Sequence, residues 1–274
     1  MIPQSIRALP CWQGEITAEP LHGGLSNESW KVTDAAGTHV VRFGRDYPFH
    51  HVDRAREVMT ARAAGQFITA ATWTGADVCA APDRVGALLR RFHHEMPAQI
   101  TGAGFIFWPF HVIRDYARTI AAGNSPFAPG LPDHLDLAAR LEVAQVSMPI
   151  VFGHHDLLPA NFLDDGQKLW LIDYEYAGFG TAMFDLAGAA SNAGMNGAET
   201  EALLVAYLGH KPDAAFARAF DAMQAASLLR EAMWAMVSDL HLSAPGVNYR
   251  AYATENLEKL AASLSHFTQT HGTL

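Results

Sequence analysis

The sequence predicts an α+β fold in two lobes, a small β-rich lobe over residues 1–66 and a larger, mainly helical lobe over residues 67–274. Residues 15–45 alternate apolar and polar side chains between turn residues, which is typical of short antiparallel strands. From residue 84 onward, apolar residues recur at i, i+3 and i+4, the spacing of amphipathic helices. Only residues 161–173 are expected to interrupt these helices, with strand character.

The small lobe is predicted to be a β-meander followed by one helix. Its strand segments are EITAEPL, HGGLSNES and WKVTDAAGTHVVRFGRD, the last of which turns at a glycine. The helix is VDRAREVMTARAAG, in which Val52, Val58 and Met59 have helical spacing and Gly65 is the expected C-terminal stop. A connector near FITAATWT leads into the larger lobe.

The larger lobe is predicted to contain amphipathic helices around one hairpin. The helical segments are RVGALLRRFHHE, HVIRDYARTIAAG, LDLAARLEVAQ, AETEALLVAYLG and AAFARAFDAMQAASLLREAMWAMVSDLH. Among them, NFLDDGQKLWLID has two apolar runs joined at Asp165-Gly166, a dipeptide that favours a tight hairpin turn. The open end of this hairpin therefore gathers Asn161 and Asp173.

Composition excludes some classes of partner. The chain has 274 residues, 50% of them hydrophobic, with 19 Lys and Arg against 28 Asp and Glu and a formal net charge of -9. This charge repels nucleic acid and anionic membranes, so neither is expected as a partner. Cys11 and Cys79 lack zinc-site spacing and the N-terminus lacks an apolar signal, so a cytoplasmic protein is expected. The oligomeric state stays open.

Three polar side chains around the hairpin have the spacing that phosphoryl transfer needs. The segment reads HxDxxxxN, with His154, Asp156 and Asn161, and Pro159 keeps the loop out of a regular helix. Asp156 is expected to accept a hydroxyl proton, while Asn161 and Asp173 hold Mg²⁺ through oxygen atoms. His154 is expected to orient the loop. A simple loop cap is the alternative, and the full set of residues favours the catalytic interpretation.

Two segments resemble those of a known family. HHDLLPANFL and LIDYEYAGFG are similar to the catalytic loop and metal-binding segment of the choline/ethanolamine kinase and aminoglycoside phosphotransferase family, with bacterial choline kinases as the most similar branch. LHGGLSNESWKV, VVRFG and LLREAMWAMVSDLH are similar to its nucleotide loop, third strand and C-terminal helices, so the resemblance covers nearly the whole chain. It implies a protein-kinase-like two-lobed fold, ATP and Mg²⁺ as cofactors, and Glu175 as a further metal-binding residue.

The resemblance also implies which residues of the small lobe bind the nucleotide. Those that would cover the phosphates with backbone N–H groups are Gly23, Gly24, Ser26 and Asn27. Arg42 would stand where protein kinases use lysine, and would pair with phosphate and Glu57. The family usually has two further strands after the Glu57 helix, whereas here AAGQ runs directly into FITAATWT. We therefore expect a small lobe that is shortened by about one hairpin beside the adenine ring.

The C-terminal helices carry residues that indicate a cationic acceptor. In the resembling choline kinases, aromatic side chains of this lobe surround the quaternary ammonium, and π-faces with a carboxylate attract such a cation. The candidate substrate residues are Trp234, Tyr252, Glu231 and Trp108. Trp234 also has helical spacing with Met233 and Val237, so a place in the core is its alternative.

Together these features predict an ATP-dependent kinase that transfers the γ-phosphoryl group to the hydroxyl of a cationic amino alcohol such as choline or ethanolamine. A related phosphotransferase for another hydroxyl compound, such as an aminoglycoside or a thiamine-like molecule, is one alternative. The other is a non-catalytic ligand-binding protein that keeps the kinase-like fold but, with its shortened small lobe, no longer turns over ATP.

Two smaller patterns have simpler interpretations. The pairs His50-His51 and His93-His94 lack a zinc-binding pattern and are expected at the surface or at helix ends. Asp185 resembles the family's aspartate that braces the catalytic loop, and an N-cap for the following helix is its alternative.

Overall fold

The structure is a computed structural model that describes residues 2–21, 28–64, 71–244 and 246–274. It has a small N-terminal part built around one sheet and a larger C-terminal part built mainly of helices. The predicted α+β architecture is therefore confirmed. None of the helices in these ranges is both long and apolar enough to cross a membrane.

The N-terminal part contains a three-stranded antiparallel sheet in the order β1-β2-β3. Its elements are α1 (Gln4–Arg7), β1 (Thr17–Leu21), β2 (Glu28–Thr33), β3 (Thr38–Phe43) and α2 (Arg54–Ala64). Trp30 of β2 lies opposite Val41 of β3, and Ser29 lies opposite Arg42. The predicted meander and the helix after it are thus both present, with Arg42 near the end of the last strand.

Residues 47–52, between β3 and α2, pack against the C-terminal helices. Tyr47 and Val52 are buried in the same hydrophobic core as those helices. The ring of His50 lies 2.9 Å from the hydroxyl of Ser238, which is 188 positions further along the chain. This segment therefore completes the core of the larger part, although it precedes the expected boundary at residue 66.

The connection between the two parts is described only in part. The expected boundary at residues 66 and 67 and the expected helix stop at Gly65 lie outside the described residues. The description resumes at β4 (Ala71–Thr72), where Thr72 pairs with Leu163 of the hairpin. The expectation that the small lobe is shortened by about one hairpin falls on this segment and so also lies outside the described residues.

The larger part consists of helices around short antiparallel strands. Its helices are α3 (Gly75–Ala80), α4 (Pro82–Glu95), α5 (Pro109–Ala122), α6 (Leu131–Val143), α7 (Ala182–Ala193), α8 (Gly197–Leu208), α9 (Ala214–His241) and α10 (Tyr249–His271). Its further strands are β5 (Ile150–Gly153), β6 (Phe162–Asp164), β7 (Leu169–Leu171) and β8 (Gly178–Thr181). Every helical segment expected from the sequence forms a helix, and the predicted segment 214–241 coincides with α9.

One strand pair was not anticipated. β5 and β8 pair antiparallel, with Phe152 opposite Phe179, so the expectation that only residues 161–173 interrupt the helices is wrong. Three of the four residues of β5 are buried. The strand therefore lacks the alternation of apolar and polar residues, and a short apolar run does not distinguish a strand from a buried helix segment.

Helix packing fixes the elements around this strand pair. The central helix α9 packs against α5, α7 and α10. Its buried face includes many alanines, among them Ala222 and Ala226, whose small side chains let neighbouring helices approach closely. The contact of α4 with α8 is tighter still, because a Cβ at Gly86 would lie 2.5 Å from the carbonyl oxygen of Leu203.

Candidate active site

The hairpin of β6 and β7 brings the predicted catalytic residues to one end. The backbone N–H of Ile172 donates to the carbonyl of Asn161 at 3.0 Å, and Asp173 follows Ile172 directly. Nδ2 of Asn161 donates to the carbonyl of Asp156 at 2.8 Å. The structure therefore brings Asp156, Asn161 and Asp173 together at the open end of the hairpin.

His154 connects the loop to this open end. Its Nε2 lies 2.8 Å from the carbonyl oxygen of Ile172, which can only accept, so we assign the ring proton to Nε2. Nδ1 then accepts the backbone N–H of Asp156 at 3.3 Å. Burial lowers the pKa of His154, which favours the neutral ring. A neutral ring with both nitrogens bonded orients the backbone that carries Asp156.

Asp185 binds the backbone at the start of the loop. Its carboxylate accepts the N–H groups of His154 and His155, both at 2.7 Å, and lies 2.8 Å from Nε2 of His93. Burial alone would raise the pKa of Asp185, but the hydrogen bond from His93 and the nearby His155 hold it well below its ordinary value. The N-cap of α7 is Thr181, so the N-cap alternative for Asp185 is wrong and the bracing position is observed.

His155 is fixed by packing. Its backbone is left-handed, with φ of 63°, and its ring stacks on Phe107 with centroids 4.3 Å apart. Gly153 and Gly180 leave room for the ring, because a Cβ at these positions would lie 2.4 and 2.7 Å from its Nε2. Nδ1 lies 3.1 Å from the carbonyl oxygen of Tyr176. The turn that leads to Asp156 is thus held from both sides.

The environment of Asp156 is unusual for a carboxylate. Burial raises its pKa well above the ordinary value; Arg230 opposes the shift, whereas Glu231 and Glu175 add to it. A carboxylate with a raised pKa is a stronger base, which suits a group that accepts a proton during a reaction.

Two arginines and three carboxylates join the N-terminal part to the hairpin. Arg42 donates to Asp173 and lies 3.6 Å from both Glu57 and Glu175. Arg54 donates to Glu57 at 2.6 Å and to Glu175 at 2.8 Å. The expected proximity of Arg42 and Glu57 is present. Arg54 was not anticipated, although its i, i+3 spacing from Glu57 is a visible signal.

The residues expected to hold magnesium present oxygen atoms, which suits this ion. Because Nδ2 of Asn161 donates to a carbonyl, its Oδ1 is the amide atom that a cation would meet, with Asp173 nearby. The carboxylate of Glu175 is instead buried and bound by Arg54. In the described ranges no group of three His, Cys, Asp or Glu side chains is arranged to hold a metal. The pair fits Mg²⁺ that substrate phosphates also coordinate.

The expected nucleotide loop cannot be placed in this arrangement. Gly23, Gly24, Ser26 and Asn27 all lie outside the described residues. The flanking strands β1 and β2 are antiparallel neighbours, with Leu21 opposite Ser29.

Three of the four candidate substrate residues form one cluster. Nε1 of Trp234 donates to the hydroxyl of Tyr176 at 3.0 Å, and its ring meets Tyr252 edge-on with centroids 6.3 Å apart. The hydroxyl of Tyr252 donates to Glu231 at 3.0 Å. Trp234 is only 6% exposed. The cluster therefore packs as part of the core while it places a carboxylate and aromatic rings near Asp156.

Trp108 lies apart from this cluster. Its Nε1 donates to Glu142 of α6 at 2.7 Å, and its ring packs against Phe110. Among the hydrogen bonds and ring contacts of the described residues, none joins Trp108 to Trp234, Tyr252 or Glu231. We therefore leave Trp108 out of the candidate site, since Glu142 occupies its polar edge.

The expectation that the histidine pairs lie at the surface or at helix ends is confirmed. His50 and His93 lie at helix ends, where both are buried. Each ring has polar partners on distant elements: Ser238 for His50, and the hydroxyl of Tyr207 for His93 at 2.9 Å. Sequence spacing contains no signal for such contacts. His94 is exposed, as expected.

Arg230 is the main residue of the site that the sequence did not reveal. It is 3% exposed, next to Glu231 on α9, and its guanidinium lies 4.9 Å from the ring centroid of Tyr176. A charged residue within the apolar stripe of a long helix is the signal that could have identified it.

Comparison with known proteins gives a consistent assignment of family. The phosphotransferase enzyme family matches residues 58–225, more than half of the chain. A choline/ethanolamine kinase family protein from Mesorhizobium loti superposes with a TM-score of 0.78 at 23% identity, covering 97% of this chain and 95% of that one. A choline kinase from Streptococcus pneumoniae has a TM-score of 0.72 at 18% identity, with 91% and 95% covered.

The sequence match to curated proteins is local. It is to a probable ethanolamine kinase from Arabidopsis thaliana, 44% identical over 43 residues, which are 15% of this chain and 12% of that protein. The structural likenesses at these identities show the fold, which is protein-kinase-like.

Proposed function

The chain belongs to the phosphotransferase enzyme family, and from this premise we propose that it is an ATP-dependent kinase of a small alcohol. The acceptor that we propose is a cationic amino alcohol such as choline or ethanolamine. The choline and ethanolamine kinases among the similar proteins support this class of acceptor.

The position of Asp156 carries the proposal. On one side, Asn161 donates to its carbonyl beside Asp173. On the other side, Glu231 of α9 lies near enough to affect the pKa of its carboxyl group. Asp156 thus lies beside oxygen atoms suited to a metal-bound nucleotide and within electrostatic reach of Glu231, the carboxylate of the cluster suited to a cation.

In the proposed reaction, Asp156 accepts the proton of the acceptor hydroxyl while that oxygen attacks the γ-phosphorus and the bond to the β-phosphate oxygen breaks. Asn161 and Asp173 would hold Mg²⁺, which would supply positive charge to the phosphate oxygens. His154 and Asp185 fix the loop backbone and take no part in proton transfer. Arg42 moves from Asp173 to phosphate, and Glu57 remains close to its guanidinium.

The nucleotide would bind between the N-terminal part and the hairpin. A similar structure, LicA, is a complex with AMP, which supports an adenine nucleotide as the donor. Residues 1–66 form the nucleotide-binding lobe in this proposal, with Gly23, Gly24, Ser26 and Asn27 covering the phosphates. The acceptor would lie against residues of the 67–274 lobe, between Asp156 and Trp234.

Release of ADP from Mg-ATP, measured across a panel of alcohols, tests the proposal directly. The panel contains choline, ethanolamine, an uncharged alcohol of similar size, an aminoglycoside and thiamine. We expect acceptor-dependent ADP release with the two amino alcohols and little with the uncharged one. Turnover of only the aminoglycoside or thiamine would assign the related phosphotransferase activity instead.

The non-catalytic alternative has its own outcome in the same experiment. A panel without ADP release, together with calorimetric binding of ATP, would identify a ligand-binding protein of kinase-like fold. Asp156→Asn serves as the matched control, because it should abolish any acceptor-dependent signal that arises from this site rather than from a contaminating kinase.

A further inference from the structure

Arg230 lies in the acceptor side of the candidate site and is nearly inaccessible. It is 3% exposed and belongs to α9, the helix that also carries Glu231 and Trp234. Its guanidinium packs over the ring of Tyr176 at 4.9 Å and lies 6.0 Å from the ring centroid of Phe107. Tyr176 in turn accepts the indole N–H of Trp234, so Arg230 is built into the proposed acceptor cluster.

Only one of the three guanidinium nitrogens of Arg230 has a hydrogen-bond partner among the described residues. Nη1 donates to Glu231 at 2.6 Å. Nε and Nη2 are both buried, and in the described part of the chain neither has a hydrogen-bond partner. These two nitrogens form one edge of the planar guanidinium and point two N–H groups in the same direction.

The edge formed by Nε and Nη2 has the geometry to bind an anionic group with two oxygen atoms. Two parallel N–H groups of arginine bind two oxygen atoms of a carboxylate or phosphate, and the charge makes these hydrogen bonds stronger than neutral ones. Buried donors without partners are costly, so proteins rarely keep them without a use. Asp156 lies within electrostatic reach of Arg230 but forms no hydrogen bond with this edge.

We propose that the Nε–Nη2 edge of Arg230 binds two oxygen atoms of an anionic group carried by the bound substrates. The inference deepens the proposed function and rests on it. Two sources can supply such a group: an acid group on the acceptor itself, or the phosphoryl group as it reaches the acceptor oxygen. In the first case the acceptor is a zwitterion, with its ammonium near Glu231 and its acid group on Arg230.

Three small probes separate these sources. Ethanolamine and L-serine differ only by a carboxylate, while ethanolamine and phosphoethanolamine differ only by the phosphoryl group on the hydroxyl. Calorimetry measures the binding of each probe to the full chain. The variant is Arg230→Lys, which keeps the charge and a partner for Glu231 but removes the two-pronged edge.

The matched control is Arg218→Lys. Arg218 lies twelve positions earlier on α9 and donates to the carbonyl of Thr273, away from the candidate site. Thermal unfolding of both variants shows whether the fold is kept. Arg230→Ala is less suitable, because it would leave the partly buried carboxylate of Glu231 without its cationic partner.

The wild-type protein should bind at least one of the two anionic probes about 10- to 100-fold more tightly than ethanolamine, and Arg230→Lys should remove most of that preference. A lost preference for L-serine assigns the acid group of the acceptor, and a lost preference for phosphoethanolamine alone assigns the transferred phosphoryl group. Equal binding of all three probes, no binding of either anion, or a preference that persists in Arg230→Lys would overturn the proposal. Anion binding without ADP release from any acceptor would remove the proposed function and leave the role of Arg230 intact.

Discussion

Arg42 donates a hydrogen bond to the carboxylate of Asp173, although the two residues are 131 positions apart in the chain. One lies on the small sheet and the other at the end of the hairpin, so this ion pair joins the two parts at the proposed phosphate site. An incoming Mg²⁺ ion would compete with Arg42 for the same carboxylate, and the freed arginine would then meet a phosphate oxygen.

Asp173→Ala should therefore lower the affinity of the protein for Mg²⁺. Loss of even an outer partner of a metal ligand costs about 10- to 100-fold in metal affinity, so loss of a direct ligand should raise the Mg²⁺ concentration for half-maximal activity by at least about tenfold. A magnesium titration of ADP release measures it. Asp164→Asn, in the same hairpin but paired with Arg84, is the control. An unchanged midpoint in Asp173→Ala would remove Asp173 from the metal site.

Asp156→Asn should leave the fold intact and lower kcat by about 10²- to 10⁴-fold, because the amide cannot accept the hydroxyl proton. Steady-state ADP release measures the rate, and thermal unfolding checks the fold. Asp213→Asn makes the same chemical change at the N-cap of α9, where asparagine caps as well as aspartate, so its activity should be normal. Near-normal turnover in Asp156→Asn would show that another group is the base.

Trp234→Phe should raise the KM for choline more than the KM for ATP, by about 2- to 5-fold, because phenylalanine is a weaker cation–π partner than tryptophan and about 0.5 to 1 kcal/mol of attraction would be lost. Phenylalanine keeps an aromatic ring in the core but gives up the bond to Tyr176. Trp12→Phe, in the N-terminal part, is the matched control. A loss of stability with both KM values unchanged would assign Trp234 to the core alone.

The contribution of the buried histidines to the free energy of unfolding should fall as the pH decreases below about 6.5. Burial lowers the pKa of His50 and His154, and that of His155 to about 4, so the folded state binds these protons less readily than the unfolded chain. Between the unfolded pKa of about 6.5 and the lower folded pKa, each histidine destabilises the fold by up to about 1.4 kcal/mol per pH unit.

Urea unfolding at pH 7.5 and pH 5 measures this dependence. In His50→Gln the free energy of unfolding should change less between pH 7.5 and pH 5 than in the wild type, giving a shallower slope against pH. This holds even though the variant loses contacts and is less stable at pH 7.5. His210→Gln changes an exposed histidine and should keep the wild-type slope. Identical slopes in all three proteins would mean that His50 does not titrate on unfolding.

The sequence predicted the arrangement around the hairpin because its parts are close in the chain. Asp156, Asn161 and Asp173 span fewer than twenty positions, and one turn signal is enough to bring the last two together. Contacts between distant elements were not predictable. The bond from Arg54 to Glu175 spans 121 positions, and no local pattern specifies which of several arginines makes it.

The burial of polar residues was not predictable either. His50 and Arg230 are polar by type and buried in fact: Ser238 on a distant helix is a partner of His50, whereas Arg230 donates to Glu231 on its own helix. Hydrophobic periodicity assigns such residues to the surface. The β5–β8 pair was not predicted because it is apolar: β5 has no polar face, and such a strand resembles any short apolar run.

The contact of His50 with Ser238 also constrains the order in which parts of the chain can fold during synthesis. The ribosome completes residues 47–52 first and must add the 188 positions up to Ser238 before their partner helix exists. At about 5 to 20 residues per second this takes about 10 to 40 s. During that interval the core that includes Tyr47 and Val52 is incomplete, so the nascent chain exposes apolar surface that chaperones can bind. Folding of these later helices thus ends the exposure of a segment that is synthesised earlier.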